Sequence, residues 1–445
     1  MVPLGVFTTY GQVTVLSQGH LPIAYVITLV MIFFTALSYA RMSRKLPIAG
    51  SAYTYTQRTF GAIPGFAIGW VQILDYLFLP IINYILLGLY INEAFPMIPA
   101  WIIILAAIIS VTAFNYVGIK LVTPINLFLV LIQLLFVVLF VTLSLSSADL
   151  SAQNLLQPLT PAFGDMSGII AGAAMLCLAF LGFDAIATMA EETQNAPRTL
   201  PRAIMFTIFI AGMIFMTVSF SANIAYPDWL NFIEPSQQDT ASLKVIHHVG
   251  ETSGFGGKLL SDLFLAAFLT GSYASAMISQ TSVSRILFAM GREGVISRKR
   301  FFKLHPKFNT PSTTLIILAM ISLVAIFMPL TLVVSMISFG ALVAFTAVNA
   351  CVIKHYCFNN RFIDQPPHFA MNLQNRLRYG LMPAIGMALS IWLWLNLDAN
   401  AMMIGISWFI AGILYLTVIT RGFKRPIPQI GEQEIKAVMR ANESK

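Results

Sequence analysis

Residues 180–193 read FLGFDAIATMAEET. They lie in an apolar stretch, residues 167–190, that is long enough to cross a bilayer, since a spanning helix needs about 20 mostly apolar residues. Inside this stretch a glycine and an aspartate stand close together. A carboxylate at membrane depth is costly and usually functional, and irregular backbone survives there only where it lines a cavity. The segment therefore predicts a membrane helix that is broken at an internal binding site.

A second segment, residues 3–11, has the same character and reads PLGVFTTYG. Each of the two segments opens a set of five apolar spans, 1–5 and 6–10. Broken helices at matching positions of two halves are typical of transporters built from inverted repeats, which hold their substrate near the midplane. Glycine also occurs in ordinary membrane helices, so the pairing of the two segments matters more than either one alone.

The composition indicates a protein embedded in lipid. Of 445 residues, 58% are hydrophobic and 10% are charged, and the mean hydropathy is +0.79. Soluble domains carry about 25% charged residues. We predict one all-α transmembrane domain with twelve spans, which are residues 2–17, 22–43, 64–92, 99–118, 122–147, 167–190, 203–226, 257–288, 312–329, 331–356, 379–397 and 400–420.

The basic residues predict how the chain is oriented. All but two of the 26 Lys and Arg residues fall on one side of this threading, and the exceptions are Lys244 and Lys258. Because insertion retains basic residues in cytoplasmic loops, we place both termini in the cytoplasm. The loop at about 227–256 then lies outside and is expected to contain a short surface helix. The net charge of +8 reflects topology and contact with anionic lipid, and not a nucleic-acid partner.

The sequence indicates no metal, cofactor or enzyme chemistry. The three cysteines lie in or beside apolar spans, so no disulfide framework is implied. The six histidines lack metal-ligand spacing. We find no phosphate-binding loop and no nucleophile motif, which argues against ATP-driven transport by this chain.

In six ordered stretches along nearly the whole chain, the sequence resembles the amino acid–polyamine–organocation (APC) superfamily. Within that superfamily it is similar to the bacterial putrescine importers. The stretches are LPIAGSAYTYTQRTFG (46–61), ILDYLFLPIIN (73–83), FLGFDAIATMAEET (180–193), SRILFAMGREGVI (284–296), HPKFNTP (305–311) and ISFGALVAFTAVN (337–349).

The resemblance implies a leucine-transporter-like fold, in which five plus five spans form inverted repeats and two further helices follow. Repeat one then covers about 1–147, repeat two about 167–356, the extra helices 379–420, and a cytoplasmic tail 421–445. The resemblance also implies secondary active transport of small organic amines, usually coupled to protons, in the bacterial inner membrane.

The start of the chain departs from the family pattern. Relatives carry a cytoplasmic tail and the inner half of the first helix before the position of Met1. We interpret the sequence as truncated or its start as misassigned, because a charged amine at mid-membrane is expensive. The alternative is an amine that opens into a water-filled cavity.

The first segment also departs from the family in its polar residues. Putrescine importers read Val-Phe-Asp-Thr where this chain has Thr8 in place of the aspartate, so a carboxylate that could hold an ammonium group is absent. Gly5 stands where amino acid permeases have the second glycine of a Gly-x-Gly motif. Pro3 replaces the first glycine and offers no N–H to a substrate carboxylate. The site is therefore intermediate between the two substrate classes.

Asp184 is the main candidate for binding the substrate's ammonium group and for proton coupling. Only three acids lie within the spans, Asp75, Asp184 and Asp262, and no Lys or Arg lies deep in any of them. Such an interior favours a cationic substrate or a proton. Asp184 would bind an ammonium group when ionised and release it on protonation, while backbone near Gly5 and Gly182 supplies dipoles. The alternative role is to cap the second half of the broken helix, and both roles are compatible.

Asp75 and Tyr76 form a second candidate group. Asp75, one turn after Gln72, is interpreted either as a second anchor or proton relay, or as part of a polar pair that joins helices. Tyr76 is interpreted either as a ring that contacts the ammonium, worth about 0.5–2 kcal/mol, or as a packing residue.

The aromatic residues beside the breaks and the charges after the second break are further candidates. Phe7, Tyr10 and Phe183 either gate the cavity or belong to the core. Glu191 and Glu192, near Arg198, suggest either an inner gate closed by a salt bridge or a solvated helix end.

Small residues four positions apart predict close helix packing in lipid. They are Gly65 and Gly69, Gly168 and Gly172, and Ser275 and Ser279.

We therefore predict a permease that imports a small amine, such as putrescine, another polyamine or an amino acid, by alternating access. Proton symport is the expected coupling, and a sodium site remains open. An amino acid permease or exchanger is the alternative. A channel or a membrane-embedded enzyme is a remote one, because neither a symmetric polar pore nor a nucleophile–base pair is visible. The sequence does not determine the oligomeric state.

Overall fold

The protein is described here from a computed structural model. It describes residues 3–422, apart from residues 49, 118–121, 162–165, 191–192, 293–295, 297–300, 302–303, 306–307, 309 and 359–372. Within this part of the chain the regular structure is helical throughout.

Eighteen α-helices form the described structure. In chain order they are α1 (Tyr10–Leu16), α2 (Leu21–Lys45), α3 (Ser51–Phe60), α4 (Ala62–Ala94), α5 (Ala100–Val117), α6 (Val122–Ser147), α7 (Ala152–Leu156), α8 (Met166–Phe180), α9 (Ala185–Thr188), α10 (Ala196–Ala225), α11 (Pro235–Gln238), α12 (Ala241–Thr252), α13 (Gly257–Arg292), α14 (Ser312–Ser322), α15 (Leu330–Ile353), α16 (Leu373–Arg376), α17 (Met382–Leu395) and α18 (Ala399–Ile419).

Shorter helical turns of other types connect some of these helices. The 3₁₀ segments are Pro3–Phe7, Gln157–Leu159, Trp229–Phe232 and Leu323–Ile326. Two π-helical segments, Lys354–Phe358 and Leu377–Leu381, follow α15 and precede α17.

The chain is a multi-pass, all-α membrane protein. Helices occur at each of the twelve predicted spans. In the described residues nine of them are long and apolar enough to cross a membrane, and the segment Ser312–Ile326 is a shorter apolar helix. The count of twelve crossings, and the division into repeats at about 1–147 and 167–356, stay predictions.

Helix α4 forms the centre of the bundle. Of its most apolar stretch 83% is buried inside the protein, against 17% for α18. Helix α4 packs against α13, α15, α3 and α5. An apolar helix with little protein around it has to face lipid, so α18 belongs to the periphery and α4 to the core.

Glycine pairs bring helices into close contact, as their spacing predicts. A Cβ atom at Gly65 would lie 2.6 Å from Gln57 Cα, and one at Gly172 would lie 2.8 Å from Val13 Cγ1. Both separations are too short for a real side chain. The packing role predicted for these glycines is therefore confirmed.

Both predicted helix breaks are present. The first segment is a 3₁₀ turn, Pro3–Phe7, and α1 begins only at Tyr10. In the second segment α8 ends at Phe180 and α9 begins at Ala185. Gly182 lies between them with φ +108°, a backbone conformation that glycine adopts without steric cost. Gly5 has no such requirement, since its φ is not positive.

The loop at about 227–256 contains the predicted short helix, but that helix is packed and not free on the surface. Helix α12 buries Val245, Ile246 and Val249 completely. The hydroxyl of its Ser242 lies 2.6 Å from the hydroxyl of Tyr90 on α4. This loop is therefore packed against the helix bundle and is part of its folded core.

Candidate functional site

Asp184 lies at the second break, immediately before α9, and is 3% exposed. Its Oδ2 accepts a hydrogen bond from the Tyr76 hydroxyl at 2.5 Å, and its Oδ1 accepts one from the Gly182 N–H at 3.2 Å. The side chain makes no standard N-cap bond within α9, although the Ala185 N–H at the start of that helix is a further donor to it, so the capping role stays a prediction. In the described residues no Lys or Arg forms an ion pair with Asp184. The carboxylate is thus held by neutral donors alone.

Tyr76 contacts both this carboxylate and a cavity in the protein. The cavity has a volume of about 140 Å³, and Tyr76 lines it whereas Asp184 does not. Pockets for drug-sized ligands occupy about 300–1,000 Å³, so this cavity fits a smaller solute. The Tyr76 hydroxyl therefore connects the lining of the cavity to the Asp184 carboxylate. This hydrogen bond joins residues 108 positions apart and could not be inferred from sequence spacing.

The two broken segments meet at the cavity, as predicted. Gly5 and Thr8 line it from the first segment and Gly182 from the second. Among the described residues that line it, none carries a charged side chain. The polar surface of the cavity therefore consists of hydroxyl, amide and backbone groups.

Four serines on α13 supply much of that polar surface. Ser272, Ser275, Ser279 and Ser282 all line the cavity. Their spacing of three and four residues places them on one face of the helix. The sequence interpretation of Ser275 and Ser279 as packing residues was therefore incomplete. The periodic hydroxyls on an apolar helix were the signal that could have identified this face.

Gln133 on α6 is a further cavity residue that the sequence analysis missed. It is 1% exposed, and its Nε2 donates to the Leu129 carbonyl at 3.3 Å. Its Oε1 has no hydrogen-bond partner in the described part of the protein. A Cβ at Gly271 would lie 2.5 Å from Gln133 Nε2, so this glycine lets α13 approach the amide. Gln133 thus offers the cavity an unsatisfied acceptor.

Asp75 lies outside the cavity lining and is 1% exposed. It packs against Gly340 of α15, where an added Cβ would lie 2.9 Å from Asp75 Cβ. Gln72 accepts a hydrogen bond from the Tyr53 N–H at 3.2 Å, and its Nε2 donates neither to Asp75 nor to another described residue. Asp75 is near enough to Asp184 for the two to interact electrostatically. The role of Asp75 as a proton relay stays a prediction. Asp262, the third acid within the predicted spans, is exposed on α13.

The three aromatic candidates pack in the core and do not line the cavity. Phe7 meets Phe140 edge-on at 5.3 Å, and Phe183 meets Tyr39 edge-on at 5.3 Å. Tyr10 is also 1% exposed. These contacts are those of core residues, and the predicted gating role would require another conformation.

The inner-gate hypothesis falls largely outside the described residues. Glu191 and Glu192 both lie there. Arg198 is described and is exposed on α10. The gate stays a prediction.

Comparison with known proteins places this site in a family context. The family described as "Amino acid permease" matches residues 1–361. The chain is 35% identical over 436 residues to the low-affinity putrescine importer PlaP of Escherichia coli (strain K12), covering 96% of this chain and 92% of that protein.

More distant relatives carry other substrates in their names. The branched-chain amino acid permease BcaP of Bacillus subtilis (strain 168) is 28% identical over 381 residues, which cover 79% of this chain and 77% of that protein. The chloroplastic cationic amino acid transporter 7 of Arabidopsis thaliana is 27% identical over 383 residues, covering 80% and 63%.

Proposed function

Because this chain belongs to the amino acid permease family, we propose that it imports a small cationic amine, with putrescine or a related polyamine as substrate. The family and the relatives are transporters and not enzymes. The proposed cycle is alternating access, in which the two repeats rock about the broken segments. The proposed location is the bacterial inner membrane, with both termini in the cytoplasm.

The environment of Asp184 carries the proposal. A buried carboxylate without a cationic partner is costly, and the described residues give Asp184 neutral donors, among them Tyr76 and Gly182, but no cation. An ammonium group that enters the cavity and displaces the Tyr76 hydroxyl supplies the missing charge. A charge-assisted hydrogen bond of this kind is about twice as strong as the neutral one that it replaces.

The rest of the cavity supports a diamine. Leu79, Ile82 and Leu86 of α4 give it an apolar wall, which suits a chain of methylene groups. The free Oε1 of Gln133 and the serine hydroxyls of α13 are acceptors for a second ammonium group. A molecule with a cation at each end and an apolar middle matches this distribution.

Proton coupling is proposed to use the two buried acids. Protonation of Asp184 removes its charge and so releases the ammonium group. Asp75, which interacts electrostatically with Asp184, is the proposed relay. This assignment makes a sodium site unnecessary.

An amino acid is the second candidate substrate, and the surroundings of Gly5 favour it. Gly5 lines the cavity, and the atom nearest to an added Cβ there would be Phe215 Cζ at 3.9 Å. The backbone at Gly5 is therefore approachable by a substrate carboxylate. Against this candidate, Pro3 has no N–H, and the Gly182 N–H already donates to Asp184.

Uptake into proteoliposomes tests the proposal. We expect saturable accumulation of labelled putrescine that collapses with a protonophore and is inhibited by unlabelled polyamines. Inhibition by neutral amino acids in place of polyamines would support the second candidate. Non-saturating flux that is unchanged by the protonophore would contradict the transporter mechanism as a whole.

A further inference from the structure

Basic and aromatic side chains gather at one end of the bundle, remote from the cavity. Arg41 lies near the end of α2, Arg378 lies in the π segment Leu377–Leu381, and both guanidinium groups stand over the ring of Tyr379. The Cζ atoms are 5.3 Å and 5.8 Å from its centroid. Tyr379 stacks on Tyr356 with centroids 4.3 Å apart. We call Arg41, Arg44, Arg378, Tyr356 and Tyr379 the basic cluster.

The basic cluster concentrates positive charge, and the described residues place no carboxylate in an ion pair with it. Arg41, Arg44 and Arg378 all lie within electrostatic range of Tyr356, and the charges of Arg41 and Arg378 also lie within range of each other. The guanidinium groups of Arg41 and Arg378 lie over the same ring, so their positive charges repel each other. An anion placed between them would relieve that repulsion.

Arg41 has hydrogen-bonding capacity to spare. Its Nη1 is buried and has no hydrogen-bond partner in the described part of the chain. Its Nη2 reaches only the Met382 sulfur, at 3.6 Å, and a thioether is a weak acceptor. A guanidinium presents five donors in a planar fork that matches phosphate oxygens. Arg41 therefore has donors available for an oxyanion that the described part of the chain does not supply.

The backbone around the basic cluster is π-helical in two places. Two π-helical segments, Lys354–Phe358 and Leu377–Leu381, carry Tyr356 and Tyr379. The Cys357 thiol joins them by donating to the Tyr379 carbonyl at 3.7 Å. Such π turns are rare and occur frequently at functional sites. Each of the two stacked tyrosines therefore lies in a π-helical segment, and this backbone feature is a second observation besides the positive charge.

We propose that the basic cluster binds the phosphate group of an anionic phospholipid. Free phosphate shares this chemistry, but the position of the cluster favours lipid. It lies where α2 and α15 end and α17 begins, and therefore at the level of the headgroups. Basic pockets between membrane helices on the cytoplasmic side bind anionic headgroups in this way, and tyrosines are enriched at that level.

Native mass spectrometry of the purified protein tests the proposal. The protein is equilibrated with phosphatidylglycerol or with phosphatidylcholine, and the bound lipid is counted. We expect retention of phosphatidylglycerol over phosphatidylcholine, weakened about ten-fold in Arg41→Gln and in Arg378→Gln, since a hydrogen bond to a charged group is worth about that factor. The matched control is Arg202→Gln, an exposed arginine of α10, which should retain lipid as the wild type does.

A second variant and a phosphate measurement separate loss of the lipid site from misfolding and from binding of a soluble anion. Arg41→Lys keeps the charge but loses the planar fork, so it should weaken retention less than Arg41→Gln does, even if the latter folds poorly. Inorganic phosphate, added in detergent without lipid, should leave the melting temperature unchanged. Stabilisation by inorganic phosphate that vanishes in Arg378→Gln would overturn the lipid assignment in favour of a soluble anion. Equal retention of both lipids, or equal retention by wild type and cluster variants, would overturn the site itself.

Discussion

The Asp184 carboxylate receives its hydrogen bonds from a tyrosine hydroxyl on α4 and from the backbone of its own break. The two donors differ in what a substrate can do to them. The Gly182 N–H is fixed by a backbone that only glycine adopts cheaply, at φ +108°. The Tyr76 hydroxyl can turn its hydrogen away from the carboxylate by rotation about the C–O bond. Substrate binding at Asp184 is therefore expected to exchange the Tyr76 bond and preserve the Gly182 bond.

Removal of the Asp184 charge should strongly reduce transport. In Asp184→Asn the side chain keeps its size but cannot pair with an ammonium group, and a hydrogen bond to a charged group contributes about 1.5–3 kcal/mol. We expect labelled putrescine uptake to fall by about ten- to a hundred-fold. Asp262→Asn is the control, because Asp262 is exposed on α13. Near-normal uptake by Asp184→Asn, with normal insertion of the protein, would remove Asp184 from the binding role.

Gln133 should distinguish diamines from monoamines. Gln133→Leu removes the free Oε1 acceptor while retaining similar bulk. We expect the KM for putrescine to rise about ten-fold, while competition by butylamine, which has one ammonium group, stays the same. If both amines weaken equally, Gln133 serves the structure of the cavity and not the second ammonium group.

An acid at position 8 should strengthen diamine binding. Thr8 lines the cavity, so Thr8→Asp adds a carboxylate where an ammonium group can reach it. We expect putrescine to compete about ten-fold more strongly against a labelled amine. Thr8→Asn is the matched control, since it has the same shape without the charge. An unchanged competition curve for Thr8→Asp would show that position 8 lies away from the bound amine.

Among the elements, the crossing of α4 with α15 determines how tightly the core closes around the site. Gly340 lies at that crossing, where an added Cβ would come within 2.9 Å of the Asp75 backbone N. At the periphery, Trp70 and Trp408 each donate an indole N–H to the other's carbonyl, both at 2.9 Å. Helix α4 is thereby joined to α15 on one side and to α18 on the other.

A methyl group at Gly340 should separate α4 from α15. The contact is with backbone, which cannot move aside, and overpacking of this kind destabilises a protein by about 1–3 kcal/mol. Gly212→Ala is the control, because the atoms nearest to the added Cβ there belong to the side chain of Leu29, which can rotate, and not to backbone. We expect a lower melting temperature in detergent for Gly340→Ala than for Gly212→Ala. Equal melting temperatures would contradict the rigid crossing.

The sequence predicted those features of the site that are local and missed those that depend on facing helices. Gly182 and Asp184 mark the break because a glycine and an acid are conspicuous in an apolar run. Gln133 and the serine face of α13 escaped notice, since a buried glutamine or serine is ordinary in a membrane helix until packing places it beside a cavity. The aromatic side chains of Phe7 and Phe183 were equally ambiguous, and their partners became known only from the packed structure.

On the scale of the whole molecule, the charge distribution predicts an orientation that helix packing alone cannot provide. The end of the bundle that carries the basic cluster also carries Lys45 at the end of α2. The opposite end carries α12 and the acidic outer loop. An inward-facing basic end would place the proposed lipid site in the cytoplasmic leaflet.

Cysteine labelling tests this orientation. In a variant whose cysteines Cys177, Cys351 and Cys357 are replaced, we expect Glu251→Cys to react with an impermeant maleimide in intact cells. Ser444→Cys, in the tail, should react only after permeabilisation. The reverse pattern would invert the proposed topology.

The central claim is that a positively charged substrate group meets Asp184 at the broken helix. An experimental density map of the protein with bound putrescine tests it most directly. The account predicts an ammonium nitrogen about 3 Å from an Asp184 oxygen, with α8 and α9 still separated and the Tyr76 hydroxyl displaced. A continuous helix through residue 184, or putrescine bound elsewhere while Tyr76 and Gly182 keep their bonds to Asp184, would contradict it.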